Sequence, residues 1–95
     1  MRLEQDTADA IREQVHLADP MAEVWLFGSR ADDRARGGDV DLLVVSGRIA
    51  FADELALRSA ILDRIGWQRL DLIVRRRDQL DEPLAALALE TGIRL

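Results

Sequence analysis

Cysteine is absent from this chain of 95 residues, which excludes disulfide bridges and thiolate metal sites. Lysine is absent as well, since all thirteen basic residues are arginine. That rules out a catalytic lysine, and with it the Walker-type phosphate loop, which needs Lys after its second glycine. Histidine occurs once, as His16, and reads as a surface or partly buried residue of a first helix rather than a catalyst. No apolar run approaches the roughly 20 residues of a membrane span, and the opening Met1-Arg2-Leu3-Glu4-Gln5-Asp6 is too acidic and interrupted for a signal peptide. A cytoplasmic location without membrane attachment is therefore expected. A net charge of −5 argues against direct nucleic-acid binding, because phosphate backbones are held mainly by an excess of Lys and Arg.

What remains is a globular composition, 48% hydrophobic, of a size that makes one domain over residues 1–95 with a single modest core. Leu3, Thr7, Ala10, Ile11, Val15 and Ala18 fall at helical spacing, and Asp19-Pro20 ends that helix. Glu23 to Phe27 reads as a strand, and a short polar helical segment over residues 30–36 follows Gly28-Ser29. Gly37-Gly38 turns into a second strand, Val40 to Val45, which Ser46-Gly47 breaks. Leu57, Ile61 and Ile65 recur by fours, with Leu55 and Leu62 widening the stripe, so a long helix is expected over Phe51 to Ile65. Residues 67–74 form a third strand, Leu80, Leu84, Leu87 and Ala88 mark a last helix with Pro83 in its first turn, and residues 93–95 add a short terminal strand. The order α-β-α-β-α-β-α places the chain in the α/β or α+β class, a small sheet with helices packed against it.

Chemistry concentrates in residues 28–44. Alternate residues of a strand point the same way, so Asp39 and Asp41 project from one face at the start of their strand, Cα atoms roughly 6 to 7 Å apart. Two unit charges at that range repel by about 2 to 3 kcal/mol at an effective dielectric near 20. Water, a proton or a cation must relieve such a pair. Hard divalent cations take oxygen ligands, and Mg²⁺ in particular is held by one or two carboxylates plus substrate phosphates. Upstream, Gly28 lets the backbone approach a ligand and Ser29 can cap a helix whose amides face an anion.

Gly28-Ser29, nine intervening residues and then Asp39-Val40-Asp41 resemble the signature of the nucleotidyltransferase superfamily related to DNA polymerase beta, and the chain's size resembles its minimal nucleotidyltransferase branch. The resemblance covers nearly the whole chain and implies a mixed, partly antiparallel sheet. In that family a third acidic residue lies on a later strand, and Arg69-Leu70-Asp71-Leu72-Ile73-Val74 offers Asp71 in the matching context. The resemblance implies two Mg²⁺ ions on Asp39, Asp41 and Asp71, with Asp71 completing the site or helping to activate an acceptor hydroxyl. It further implies ATP phosphates held by Gly28, Ser29 and Arg30. The implied reaction transfers AMP from ATP to a hydroxyl. With no further domain to recognise an acceptor, the acceptor surface falls to a partner, which in the minimal branch is a HEPN-domain ribonuclease toxin carrying the target tyrosine. The chain would then be its antitoxin, in a hetero-oligomer.

Plainer readings stand beside these. Asp39 and Asp41 could be a solvated strand start, Asp71 an edge carboxylate paired with Arg69 or Arg75, and Gly28-Ser29 an ordinary helix cap. Arg30, Arg34 and Arg36 equally suit a surface face balanced by Asp32 and Asp33, and Arg75-Arg76-Arg77 suits a charged exit loop more than an interface. Trp25 and Trp67 read as core or interface aromatics, and the last helix's leucines as core or a docking surface. The rival function is a non-catalytic binding module that neutralises a partner by occlusion.

Overall fold

The structure, a computed structural model, describes residues 3–34 and 38–95. Its centre is a four-stranded sheet in the order β3-β2-β1-β4, made of β1 (Glu23–Phe27), β2 (Val40–Val45), β3 (Leu70–Arg75) and β4 (Ile93–Arg94). β1 runs antiparallel to both β2 and β4, whereas β2 and β3 are parallel. The sheet is therefore mixed, as expected. The parallel pair needs a crossover, which the helix α2 (Phe51–Ile65) supplies. β3 begins at Leu70 rather than at residue 67; Trp67 is 85% exposed and belongs to the approach, not to the core.

One face of the sheet carries Val24, Leu26, Val40, Leu42, Val44, Leu70 and Val74, which pack against Ile11 and Val15 of α1 (Gln5–Ala18) and Leu57, Ile61 and Leu62 of α2. Leu55 does not join them and is 75% exposed. It lies two residues from Leu57, about 200° around a helix of 3.6 residues per turn, so the core stripe leaves it outside. The opposite face carries Phe27, Leu43 and Val45, covered by Ala85 and Ala88 of α3 (Pro83–Thr91). Small alanines let α3 settle closely on the sheet, and its larger Leu84 and Leu87 turn outward, 41% and 50% exposed. β2 is thus buried on both faces, Asp41 being its one partly open position. Among the described residues no helix is long and apolar enough to cross a membrane.

The segment after β1 is shorter than expected. A single 3₁₀ turn spans Gly28–Ala31, and Asp32 stops it by accepting a bond on its carboxylate from the Arg34 amide. Residues 35–37 lie outside the described residues, so the end of the expected helix at Arg36 and the Gly37 half of the turn are not described.

A buried polar knot was not legible in the sequence. The Ser46 hydroxyl donates to Asp19 at 2.6 Å and accepts the amides of Arg48 and Ile49, both at 3.0 Å, while the other Asp19 oxygen accepts the Met21 amide. It ties the end of α1 to the end of β2. The Ser46 hydroxyl, then the Met21 amide, holds the Asp19 carboxyl below its usual range. Replacing Ser46→Ala strands a buried carboxylate and two amides, and should cost about 1 to 3 kcal/mol in urea unfolding. The sign with pH follows from the lowered pKa. The carboxylate's contribution is in place above the unfolded value near 4 and fades as pH falls through the lower folded value, so the variant should lose less on acidification than the parent.

Candidate functional site

In the parallel ladder Asp41 is the register partner of Asp71, as Leu42 is of Leu72 and Leu43 of Ile73. Register partners on adjacent strands share a face, and adjacent strands lie about 4.8 Å apart. The two carboxyls accordingly lie side by side, close enough for a hydrogen bond between them when Asp41 is protonated. Burial first, then that bond and the charges of Asp71 and Asp39, push the Asp41 carboxyl up to about 6. Neither arginine considered as a partner for Asp71 takes that role. Arg69 lies 3.9 Å from Asp39, and Arg75 pairs with Glu82 at 3.0 Å.

Asp39 is placed differently from the other two. It sits just before β2, near enough for its charge to act on Asp41 but turned toward Arg69. Among the described residues no group of three or more Asp, Glu, His or Cys side chains is gathered as a metal cage. What the fold does gather is the Asp41–Asp71 pair, in which like charges are crowded and either a proton or a cation would relieve them. That donor set of hard oxygens suits Mg²⁺.

The opposite wall is Gly28. Phe27 pairs with Asp41 across the antiparallel ladder, so the chain leaves β1 beside that carboxylate. Gly28 has φ +71°, a left-handed conformation, and a Cβ there would run into Asp41 Oδ2 and lie 3.0 Å from its Cγ. The glycine therefore serves both a turn and a close approach to the acid. Ser29 follows within the 3₁₀ turn. Arg30 goes elsewhere: its guanidinium donates to the Gly38 carbonyl at 2.9 Å, clasping the loop, and it lines a separate cleft with Leu3, Glu4, Thr7 and Gln68.

A cavity of about 640 Å³ opens at the pair. It runs from Phe27, Asp41 and Asp71 around the outer edge of β3 to Phe51, Leu55 and Arg58 of α2. Sequence reasoning did not find these α2 residues as part of the site. Their signal was the helical spacing of Phe51, Leu55 and Arg58, which sets two apolar side chains and an arginine along one side of α2. Two of the other sequence readings resolve as surface features. Arg75, Arg76 and Arg77 pair with Glu82, Asp78 and Glu23 respectively, so the basic run is neutralised locally. His16 is exposed on α1, its Nε2 bonded to the Ala22 carbonyl at 3.1 Å. Trp25 packs half-buried beside the α3 cluster.

No curated protein sequence matches the chain significantly. A family model, that of the nucleotidyltransferase domain, matches residues 8–85, a stretch that contains the Gly28 turn, both strand-borne carboxylates and the α2 crossover. Domains of this kind use nucleoside triphosphates and Mg²⁺, which agrees with the hard-oxygen pair and the glycine-walled approach found here. With the family model covering most of its length and a mixed sheet that fits it, the chain belongs to the nucleotidyltransferase domain family of the DNA polymerase beta-like superfamily, a transferase of nucleotidyl groups.

Proposed function

We propose that the protein transfers AMP from ATP to a hydroxyl on a partner protein, with Mg²⁺ held by Asp39, Asp41 and Asp71. The observation that carries this reading is the register pairing of Asp41 with Asp71 beside a glycine that admits no side chain. Bound Mg²⁺ would supply charge neutralisation for the triphosphate and for the attacking and leaving oxygens of an in-line displacement. Asp41, central in the group and already crowded by both neighbours, would hold the chelated phosphate in place. Asp71, exposed on the edge strand, would orient the acceptor hydroxyl and draw on its proton. The amides around Gly28 and Ser29 would receive the phosphates. No cysteine or lysine is present to carry a covalent intermediate, which favours direct transfer.

The acceptor hydroxyl would be carried by a protein that docks on the domain. By likeness to the minimal branch, that partner is a HEPN-domain ribonuclease whose tyrosine receives the AMP, making this chain an antitoxin in a cytoplasmic pair. The exposed Phe51, Leu55 and Leu84 around the cavity favour a second reading, neutralisation by occlusion alone. Co-expression with a HEPN ribonuclease separates the two. Asp39→Asn with Asp41→Asn should abolish transfer of labelled AMP to the toxin and restore its toxicity; full neutralisation by the double variant would sink the enzymatic reading.

A further inference from the structure

β3 is an edge strand, and its outer backbone groups are incompletely occupied. In the parallel ladder the Val40 amide bonds to the Arg69 carbonyl and the Ser46 amide to the Arg75 carbonyl, so alternate residues Leu70, Leu72 and Val74 turn their N–H and C=O groups outward. Two arginines cap the ends of that row. Arg58 Nε donates to the Leu70 carbonyl at 3.3 Å, and Arg75 donates to the Val74 carbonyl at 2.9 Å. Between these caps stand the N–H and C=O of Leu72, one residue from Asp71.

Beside this gap α2 shows Phe51, Glu54, Leu55 and Arg58, at i, i+3, i+4 and i+7, along the wall of the same cavity that holds Asp41 and Asp71. Phe51 and Leu55 are 86% and 75% exposed. Arg58 has no carboxylate partner among the described residues, although Glu54 lies one turn away on the same stripe. Backbone pairing groups, an apolar strip and an uncompensated cation thus lie side by side, within reach of the carboxylates.

Taking the transfer reading above as its basis, we propose that the acceptor docks as an extended segment of the partner protein, added as a strand to the edge of β3 at Leu72. Its hydroxyl-bearing residue faces Asp71, an apolar neighbour lies over Leu55, and an acidic neighbour meets Arg58. Strand alternation dictates the pattern: a residue beside Asp71 shares the carboxylate face, and its two neighbours fall on the α2 side. One neighbour reaches the level of Leu70 and Arg58, the other that of Leu72 and Leu55. A second copy of this chain fits poorly. Two β3 edges paired antiparallel about Leu72 would bring two carboxylate pairs onto one face, where they repel.

The test uses four acetylated, amidated nine-residue peptides centred on Glu-Tyr-Leu, Leu-Tyr-Glu, Lys-Tyr-Leu and Leu-Tyr-Lys. They are titrated onto the full chain while the backbone amide resonances are followed. One glutamate peptide should shift and protect the Leu72 amide, and accept labelled AMP when Mg²⁺ and ATP are added. Arg58→Glu should weaken that peptide about tenfold and tighten its lysine counterpart by a similar factor. If Arg58 merely caps Leu70, the variant would weaken all four peptides alike, and the charge assignment is overturned. An unmoved Leu72 amide with every peptide overturns the docking site. Mg²⁺ with ATP is titrated in parallel on the amides around Gly28 and Asp41. Nucleotide binding without peptide docking removes this inference and leaves the transfer reading standing, whereas docking without nucleotide binding removes the transfer reading and the acceptor role with it.

Discussion

Asp71→Asn should lower nucleotidyl transfer by about 10³-fold or more, and yet make the metal-free protein harder to melt at pH 7.5. The activity loss follows from removing one of two paired oxygen donors, in a reaction whose rate rests on placing charge against charge. The stability gain follows from the same pairing. Asp41 ionises at about 6 in the folded chain against an ordinary 3.8, so its folded form holds a proton more tightly than the unfolded chain does. A carboxyl raised in this way contributes no penalty below about pH 4. The penalty then grows as pH climbs through about 6 and is complete at neutrality. Asn at position 71 removes one of the neighbouring charges while leaving burial in place. Because Asp41 is only partly buried, the expected gain is about 1 kcal/mol rather than the full value of the shift. Thermal melts at pH 4 and pH 7.5 in the presence of a chelator check the point. The variant should lead only at the higher pH, and saturating Mg²⁺ with ATP should reverse the order by stabilising the parent. An equal difference at both pH values would count against the crowded pair.

Gly28→Ala should damage both folding and catalysis, because the position imposes two separate demands. Its φ of +71° costs an L-residue roughly 1 to 2 kcal/mol. The added methyl would also occupy the place of Asp41 Oδ2, so the carboxylate must leave its present position. A total loss of about 2 to 4 kcal/mol is expected in urea unfolding. Transfer should fall about 10²-fold, the scale for an ångström of misplacement at a reacting centre. Gly66→Ala is the matching control. Gly66 has φ +85°, but a methyl group there would meet no atom within 4 Å, so it should show the backbone cost and retain transfer. Comparable losses of transfer in both would mean that Gly28 acts through the backbone and not through Asp41.

The elements were largely legible in the sequence because their periods were clean. Val40 to Val45 announced a strand buried on both faces, and the spacing of Leu57 and Ile61 announced the α2 core stripe. Gly28, Asp39 and Asp41 drew notice as a glycine turn set ahead of an Asp-Val-Asp strand start, whereas Asp71 was singled out only through the family resemblance. What stayed hidden was non-local. The bond between Asp19 and Ser46 joins two ordinary strand and helix terminators that lie 27 residues apart, and neither residue signals the other. Asp39 and Asp41 look equivalent by strand alternation, yet Asp39 precedes the ladder and turns toward Arg69, leaving Asp71 as the closer companion of Asp41. Leu55 was misjudged because hydrophobicity alone does not say which side of a helix meets the sheet. Ala85 and Ala88, less conspicuous in the sequence, do the packing because α3 sits close.

The parallel pairing of β2 with β3 also bears on how the molecule assembles. β1 and β2 can zip together as near neighbours in the chain, but β3 joins only once the whole intervening helix has folded back. A ligand that bridges the acids of β2 and β3 consequently recognises only molecules in which this last long-range closure has taken place. Amide exchange in β3 should slow more than in the β1–β2 ribbon when such a ligand is bound, so that nucleotide acts as a latch on the edge strand.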